Sequence, residues 1–540
     1  MRIRLQRATI LLILTLAGPA AAETEAPAAL QACSTAADPD LRIQACSAVL
    51  QADGTIPTDR AAALIYRGEA HDRTGEYDLA IQDYDAALAI SPESVAAYTH
   101  RCLAESERGN NDRAIADCDA ALKLDPGDPV ALLNRGVANY GKGDTDRAID
   151  DWSQAIRIDP TSAPAFADRC MALVDRGAND RAVTDCDAAL HIDPDFAPAM
   201  VHRGEAYLAK GLIDRAVADF DRAIEIDPEL ALAYADRCMA HETISEYDQA
   251  IRDCNSAISL VPGSDFAFVN RGKALLGNGE TDRAIADFNR ALQLYPKSAT
   301  ALLNRCAAYG EKALYERAIE DCSAATEIDP SWDLPLVDRG MDYLRTGHPD
   351  RAIADLDRAI QLNPDSAKAF ANRCMAYNET SQTDRAIDDC DAALRIDPDS
   401  AQAFTNRGVA YAAKAQLDRA MDDFNRAIQL DPKSADALSN RCAAFTNQGQ
   451  WTQAMEDCDA ALRIDPNHAM ALTSRGLAYL RVGQPDQAID DLSKAIALNP
   501  IYPPSFLNRA AAYLAKGDRD RAAQDHAQAV ELDPRLGSRR

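Results

Sequence analysis

RCLAESERGNNDRAIADCDAALKLDP, residues 101–126, decides how this 540-residue chain folds. Apolar and small residues recur three and four apart on both sides of Gly109-Asn110, the period of two short amphipathic helices joined by a turn. Cys102 lies in the first helix and Cys118 in the second, sixteen residues on. Pro126 closes the unit, because proline lacks a backbone donor and restrains the residue before it. The frame returns every 34 residues, with Pro92, Pro126, Pro160 and so on to Pro534. Fourteen copies cover residues 61–536 without insertion or deletion, nearly nine-tenths of the chain. So regular a repeat predicts one elongated stack of hairpins in place of several globular domains. Ser162, Ser366, Ser400 and Ser434 stand where they can cap the next first helix.

The ends depart from this frame. Arg2, Arg4 and Arg7 precede an apolar run, Ala8 to Ala17, and the small-residue site Ala20-Ala21-Ala22. These are the three parts of a secretory signal peptide over residues 1–22, too short to span a bilayer. They predict an exported product, with a bacterial periplasm as its destination. Residues 23–60 read as a capping hairpin, a degenerate repeat in which Cys33 and Cys46 lie thirteen apart and IQACSAVL echoes IADCDAAL. In the last copy Ala523 replaces the Ile, Val or Met of the thirteen earlier ones, and His526 enters a column held mostly by rings and cysteines. Such polar ends suit the termini of a stack. Residues 537–540 are a short tail.

Acidic residues outnumber basic ones by 85 to 57, a formal charge of −28. Nucleic acid is therefore not expected as a partner, since its phosphates need a basic face. No basic amphipathic stretch suggests a membrane surface, and no later segment predicts membrane insertion.

Small residues recur as Gly68 and Gly136 in first helices and as Ala80/Ala87 and Ala148/Ala155 in second helices. Large apolar residues recur as Tyr207, Phe220, Tyr411 and Phe424. At these positions the repeat resembles the tetratricopeptide repeat family. The resemblance implies an all-α fold, a right-handed α-α superhelix (solenoid) of about fourteen 34-residue helix-turn-helix repeats, with a concave groove lined mainly by first helices. Two columns depart from the family pattern. Where the family usually has leucine, an arginine stands in every copy, from Arg67 to Arg509. Each second helix carries an aspartate, from Asp83 to Asp525.

Copies without cysteine explain those with it. In the columns of Cys102 and Cys118 they carry Gly68 with Tyr84, Gly136 with Trp152, Gly204 with Phe220, and Gly272 with Phe288. A glycine opposite a large ring is size complementarity between touching helices, so the two columns are in contact. Fourteen cysteines in an exported chain then predict seven disulfides: Cys33–Cys46, Cys102–Cys118, Cys170–Cys186, Cys238–Cys254, Cys306–Cys322, Cys374–Cys390 and Cys442–Cys458. Buried free thiols are the alternative. Metal binding fits poorly, because no Cys-x-x-Cys pair or recurring histidine completes a tetrahedral set.

Fourteen repetitions of arginine and aspartate are unlike an active site, which needs one constellation. They read as a ladder of ion pairs, such as Arg101 with Asp117 and Arg305 with Asp321, joining the helices of one copy or one copy to the next. The column before the arginine holds Asn134, Asn270, Asn304, Asn372, Asn406, Asn440 and Asn508, with Asp168, Asp236 and Asp338 at other copies. In some superhelical relatives an asparagine ladder at this point holds the backbone of an extended peptide. An amide both donates and accepts, so it can pair with any peptide unit. Bonding only to neighbouring helices is the equal alternative. Leu133, Val137, Met171, Met239, Leu303, Met341, Met375 and Val409 surround the ladder as small or apolar groove positions. The lysine/asparagine carboxylate clamp of chaperone-binding relatives is not reproduced.

The eight histidines bear no fixed relation to a nucleophile, and no phosphate loop or metal motif is present. The expectation is a non-enzymatic exported scaffold, without cofactor, binding proteins or extended peptides in its concave groove. The alternatives are an accessory subunit presenting substrates to an envelope enzyme, and a structural spacer.

Overall fold

The computed structural model describes residues 28–538. The leader expected over residues 1–22, the first five residues of the expected cap and the last two of the tail lie outside the described residues. Among the described residues are thirty α-helices, one 3-10 turn and no strand, the all-α helix-turn-helix repeat expected. They form two units, divided after Pro296. In the first, the hairpin Ala28–Thr35/Pro39–Gln51 precedes seven copies, from Pro57–Arg73/Tyr77–Ile90 to Asp265–Gly277/Thr281–Leu294. In the second, seven copies run from Ala299–Glu311/Tyr315–Ile328 to Pro503–Ala515/Arg519–Leu532, followed by Pro534–Ser538. Within each unit the two helices of a copy pack together, and each second helix packs on the next first helix.

Local chemistry sets these boundaries. The side chains of Ser162, Ser366, Ser400 and Ser434 each accept a hydrogen bond from the backbone N–H three residues on, capping a first helix. Second helices stop at residues such as Asp159, held at φ −120° and ψ 91° before Pro160. The turn inside each copy needs one residue in the left-handed region. Glycine supplies it at ten copies, as at Gly143 with φ 90°. Ser245, Ala313, Ser381 and Ala415 take the same conformation with φ between 55° and 61°.

The core is built where two helices of a copy touch. A Cβ added at Gly204 would lie 2.5 Å from the Phe220 ring, and one at Gly136 would lie 2.5 Å from Trp152. Tyr84, Trp152, Phe220, Phe288 and Phe424 are essentially fully buried. In the alternate copies the same contact is a disulfide: Cys102–Cys118, Cys170–Cys186, Cys238–Cys254, Cys306–Cys322, Cys374–Cys390 and Cys442–Cys458, with Cα–Cα distances of 5.5–5.6 Å. Cys33–Cys46 closes the first hairpin at 4.6 Å. In the last copy Ala523 and His526 are exposed.

Candidate binding face

Arg407, on the first helix Ala401–Ala413, shows how this face is held. Its Nε and Nη2 donate to Asp423 Oδ2 and Oδ1 at 2.8 and 2.7 Å, a bidentate pair with its own second helix. Its Nη1 donates to Asp391 Oδ1 at 2.6 Å, in the second helix of the preceding copy. The rings of Phe404 and Tyr411 lie 5.5 and 5.8 Å from the guanidinium carbon, within cation–π reach. The hydrogen bonds to Asp423 hold Arg407 above the ordinary arginine value, although burial opposes that. Arg101 pairs with Asp117 at 2.8 and 2.5 Å and with Asp85 at 2.5 Å, while Arg305 pairs with Asp321 at 2.6 Å through both nitrogens. Where the preceding helix offers no aspartate, serine or asparagine accepts instead, as Ser153 does from Arg169 and Asn425 from Arg441. Arg67 reaches Ser47 in the first hairpin in the same way.

The asparagines next to this ladder divide by role. Asn134 and Asn406 donate backward to Thr99 O and Ala371 O, carbonyls of the preceding first helix, at 3.1 and 3.0 Å. Asn304 and Asn440 donate to Thr300 O and Asp436 O on their own helices, at 2.8 and 2.9 Å. Each is partly exposed, and one amide oxygen is left over for another donor. Asn508 is also partly exposed. Asn270 and Asn372 are buried with Nδ2 lacking a partner, and Asn372 Oδ1 accepts from Gln402 at 3.0 Å. One column thus contains clamps between helices and groups with bonding capacity to spare.

Between the amides the face carries charge pairs that the columns described above do not include. Glu69 joins Arg42 of the first hairpin and His100 of the next copy, each at 3.2 Å. Burial would raise the Glu69 carboxyl, but the His100 hydrogen bond and the nearby positive charges bring it below its ordinary value. Burial would lower His100, and Glu69 more than offsets this, raising it. Beside them Asp72 is buried, accepts from Tyr84 Oη at 2.6 Å, and is pushed up to about 7, chiefly by burial. Further along stand Lys273–Glu242 at 2.7 Å, Lys368–Asp338 at 2.8 Å and His468–Asp436 at 3.0 Å. The signal for these pairs was a spacing of about thirty residues between opposite charges, one copy apart.

Among the described residues no group of three or more metal-ligating side chains comes together, and no helix is long and apolar enough to cross a membrane. Models of the tetratricopeptide repeat match residues 61–94, 103–163, 168–231, 269–331, 337–401, 401–434, 435–468 and 469–502. No curated protein compared with the chain matches it. Among solved structures, the crystal structure of the APC/C hetero-tetramer Cut9-Hcn1 aligns over 82% of this chain and 93% of that one, at 15% identity and a TM-score of 0.54. At that identity the likeness is one of fold. The crystal structure of YrrB, a TPR protein with an unusual peptide-binding site, aligns over 34% of this chain and 95% of that one, at 26% identity and a TM-score of 0.28.

Proposed function

From a chain that belongs to the tetratricopeptide repeat family, a family of protein-interaction scaffolds, we propose an exported, non-enzymatic scaffold that holds proteins or extended peptides along its first helices. The carrying observation is the spare amide capacity at Asn304, Asn440 and Asn508, partly exposed at one register in separate copies. Amides that recur at one register of the repeat suit a repeated ligand, and a peptide backbone is one. The Arg–Asp ladder supports the same reading from the other side, because it fixes the helices that carry the amides. Export is supported by seven buried disulfides and by the charged, apolar and small-residue sequence at the head of the chain.

The test is photo-crosslinking in the native envelope, comparing wild type with a triple change of Asn304, Asn440 and Asn508 to Ala. Loss of crosslinked partners at unchanged thermal stability is expected. An identical set of partners would rule out the amides as the binding groups. Export is checked by the amino terminus of the protein recovered from the periplasm, which should begin at Glu23. Alkylation without reductant should add no mass; fourteen alkylated thiols would overturn the disulfides.

A further inference from the structure

Asp342 stands where the stack has no use for it. In the other thirteen copies its column holds alanine, from Ala70 to Ala512, at the tight contact between neighbouring first helices. Ala308 and Ala376, its counterparts on either side, are fully buried. Asp342 itself is 6% exposed. Its Oδ2 lies 3.8 Å from Cys306 Sγ, but that sulfur is in a disulfide and has no proton to donate. No N–H or O–H of the described residues donates to the carboxylate.

Space has been left over it. Gly310, in the preceding first helix, is partly exposed, and a Cβ there would lie 3.4 Å from Asp342 Oδ1. Any larger side chain would cover the carboxyl; glycine leaves a notch. Three other charged groups act on it: Asp338 one turn earlier, Arg345 one turn later, and Lys368 from the next copy, whose Nζ is held by Asp338 at 2.8 Å. Burial first, and Asp338 second, push Asp342 up to about 7, against the pull of Arg345 and Lys368. A buried carboxyl without donors destabilises the fold, and thirteen alanines show that packing does not require it. Its missing counterpart is a compact group with several donors and a positive charge.

We propose that Asp342, reached through the notch at Gly310, receives one ligand ammonium, either a lysine side chain or a free amino terminus. This deepens the groove reading and rests on it for the course of the ligand backbone, since Asp338 belongs to the asparagine column. An ammonium supplies three donors and restores charge balance to a carboxylate taken out of water. A guanidinium is wider and planar, so the notch favours the ammonium.

The test uses the full chain with ¹³Cγ-labelled aspartate, and n-butylammonium chloride as probe against sodium chloride at equal ionic strength. The Asp342 carbon is identified by its loss in Asp342→Ala, a variant expected to fold because it restores the alanine of the other copies. Butylammonium should lower the Asp342 titration midpoint by about half a pH unit or more, with Asp72 unmoved. No shift beyond that in sodium chloride, or an equal shift at Asp72, overturns the proposal. A second arm compares alanine pentapeptide amides: acetylated with a central lysine, acetylated with a central norleucine, and one with a free amino terminus. A preference of about fivefold or more over norleucine, lost in Asp342→Ala, identifies lysine or amino terminus as the source according to which peptide shows it. Equal binding of all three overturns the proposal. A butylammonium shift with no peptide binding leaves the ammonium site standing and refutes the groove reading instead.

Discussion

Arg407 and Asp391 belong to different copies, yet they are joined at 2.6 Å by the one guanidinium nitrogen that Asp423 does not use. One side chain thus closes its own hairpin and fastens it to its predecessor. The two bonds are unequal in setting. The side chain of Asp423 is 7% exposed and that of Asp391 46% exposed. Asp423→Ala should destabilise the surrounding copies by about 2–4 kcal/mol, because it leaves a half-buried cation without its bidentate partner. Asp391→Ala should cost less than about 1 kcal/mol, as exposed pairs do. Hydrogen exchange of the helices Ala401–Ala413 and Leu417–Leu430 under urea reads both, and equal effects would refute the ranking.

The glycine–ring and disulfide contacts are alternative fillings of one space. Gly204→Ala should destabilise by about 1–3 kcal/mol, because its Cβ meets the Phe220 ring, which surrounding helices prevent from moving. Gly204→Cys with Phe220→Cys should form an eighth disulfide and restore the melting temperature. Two free thiols in mapped digests of that double variant would count against the equivalence.

Ala415 holds a left-handed conformation at φ 57°, where ten other copies have glycine. Ala415→Gly should stabilise the protein by about 1 kcal/mol, since the Cβ strain it removes exceeds the added freedom of the unfolded chain. Ser381→Gly should do the same. A lowered thermal midpoint in either would show that the turn carries no strain.

Acid should strengthen the start of the stack, up to a limit. Asp72, raised to about 7 from an ordinary 3.8, binds a proton more tightly when folded, so its penalty grows as pH rises from about 4 to 7. His100 is raised too, and its stabilising charge is lost as pH rises through its folded value above 6.5. Glu69 is lowered, so its contribution disappears only as pH falls below about 4.5. Protection of the helices Pro57–Arg73 and Val95–Glu107 should therefore peak near pH 5 and decline toward 8. Asp72→Asn should flatten the decline; an unchanged profile would remove Asp72 as its cause.

Repetition made the architecture readable, because each position was sampled fourteen times. Gly204 opposite Phe220 and Cys170 with Cys186 mark one shared contact in the sequence itself. Columns say less about members that leave them. Asn134 and Asn440 share a register, yet one clamps the preceding helix and the other bonds within its own, a choice that the shared register leaves open. The arginine column was equally informative about pairing with Asp321 or Asp423, while the rings beside Arg407 come from positions whose periodicity marks them only as apolar. Asp342 was visible as the one acid in a column of alanines, but its burial and the notch at Gly310 are facts of packing.

The alternation of closed and open hairpins gives the chain two different extensibilities. Pulled from its ends, a copy such as residues 197–230 would release all of its contour, roughly 120 Å at full extension. A neighbour such as residues 231–264 is short-circuited between Cys238 and Cys254, sixteen positions apart, and would release only roughly 65 Å. Under tension the protein would thus lengthen in two step sizes, and reductant in the surroundings would merge them into one. A stack of this kind limits its own reach, and alternate copies never run out to full length while the bonds remain.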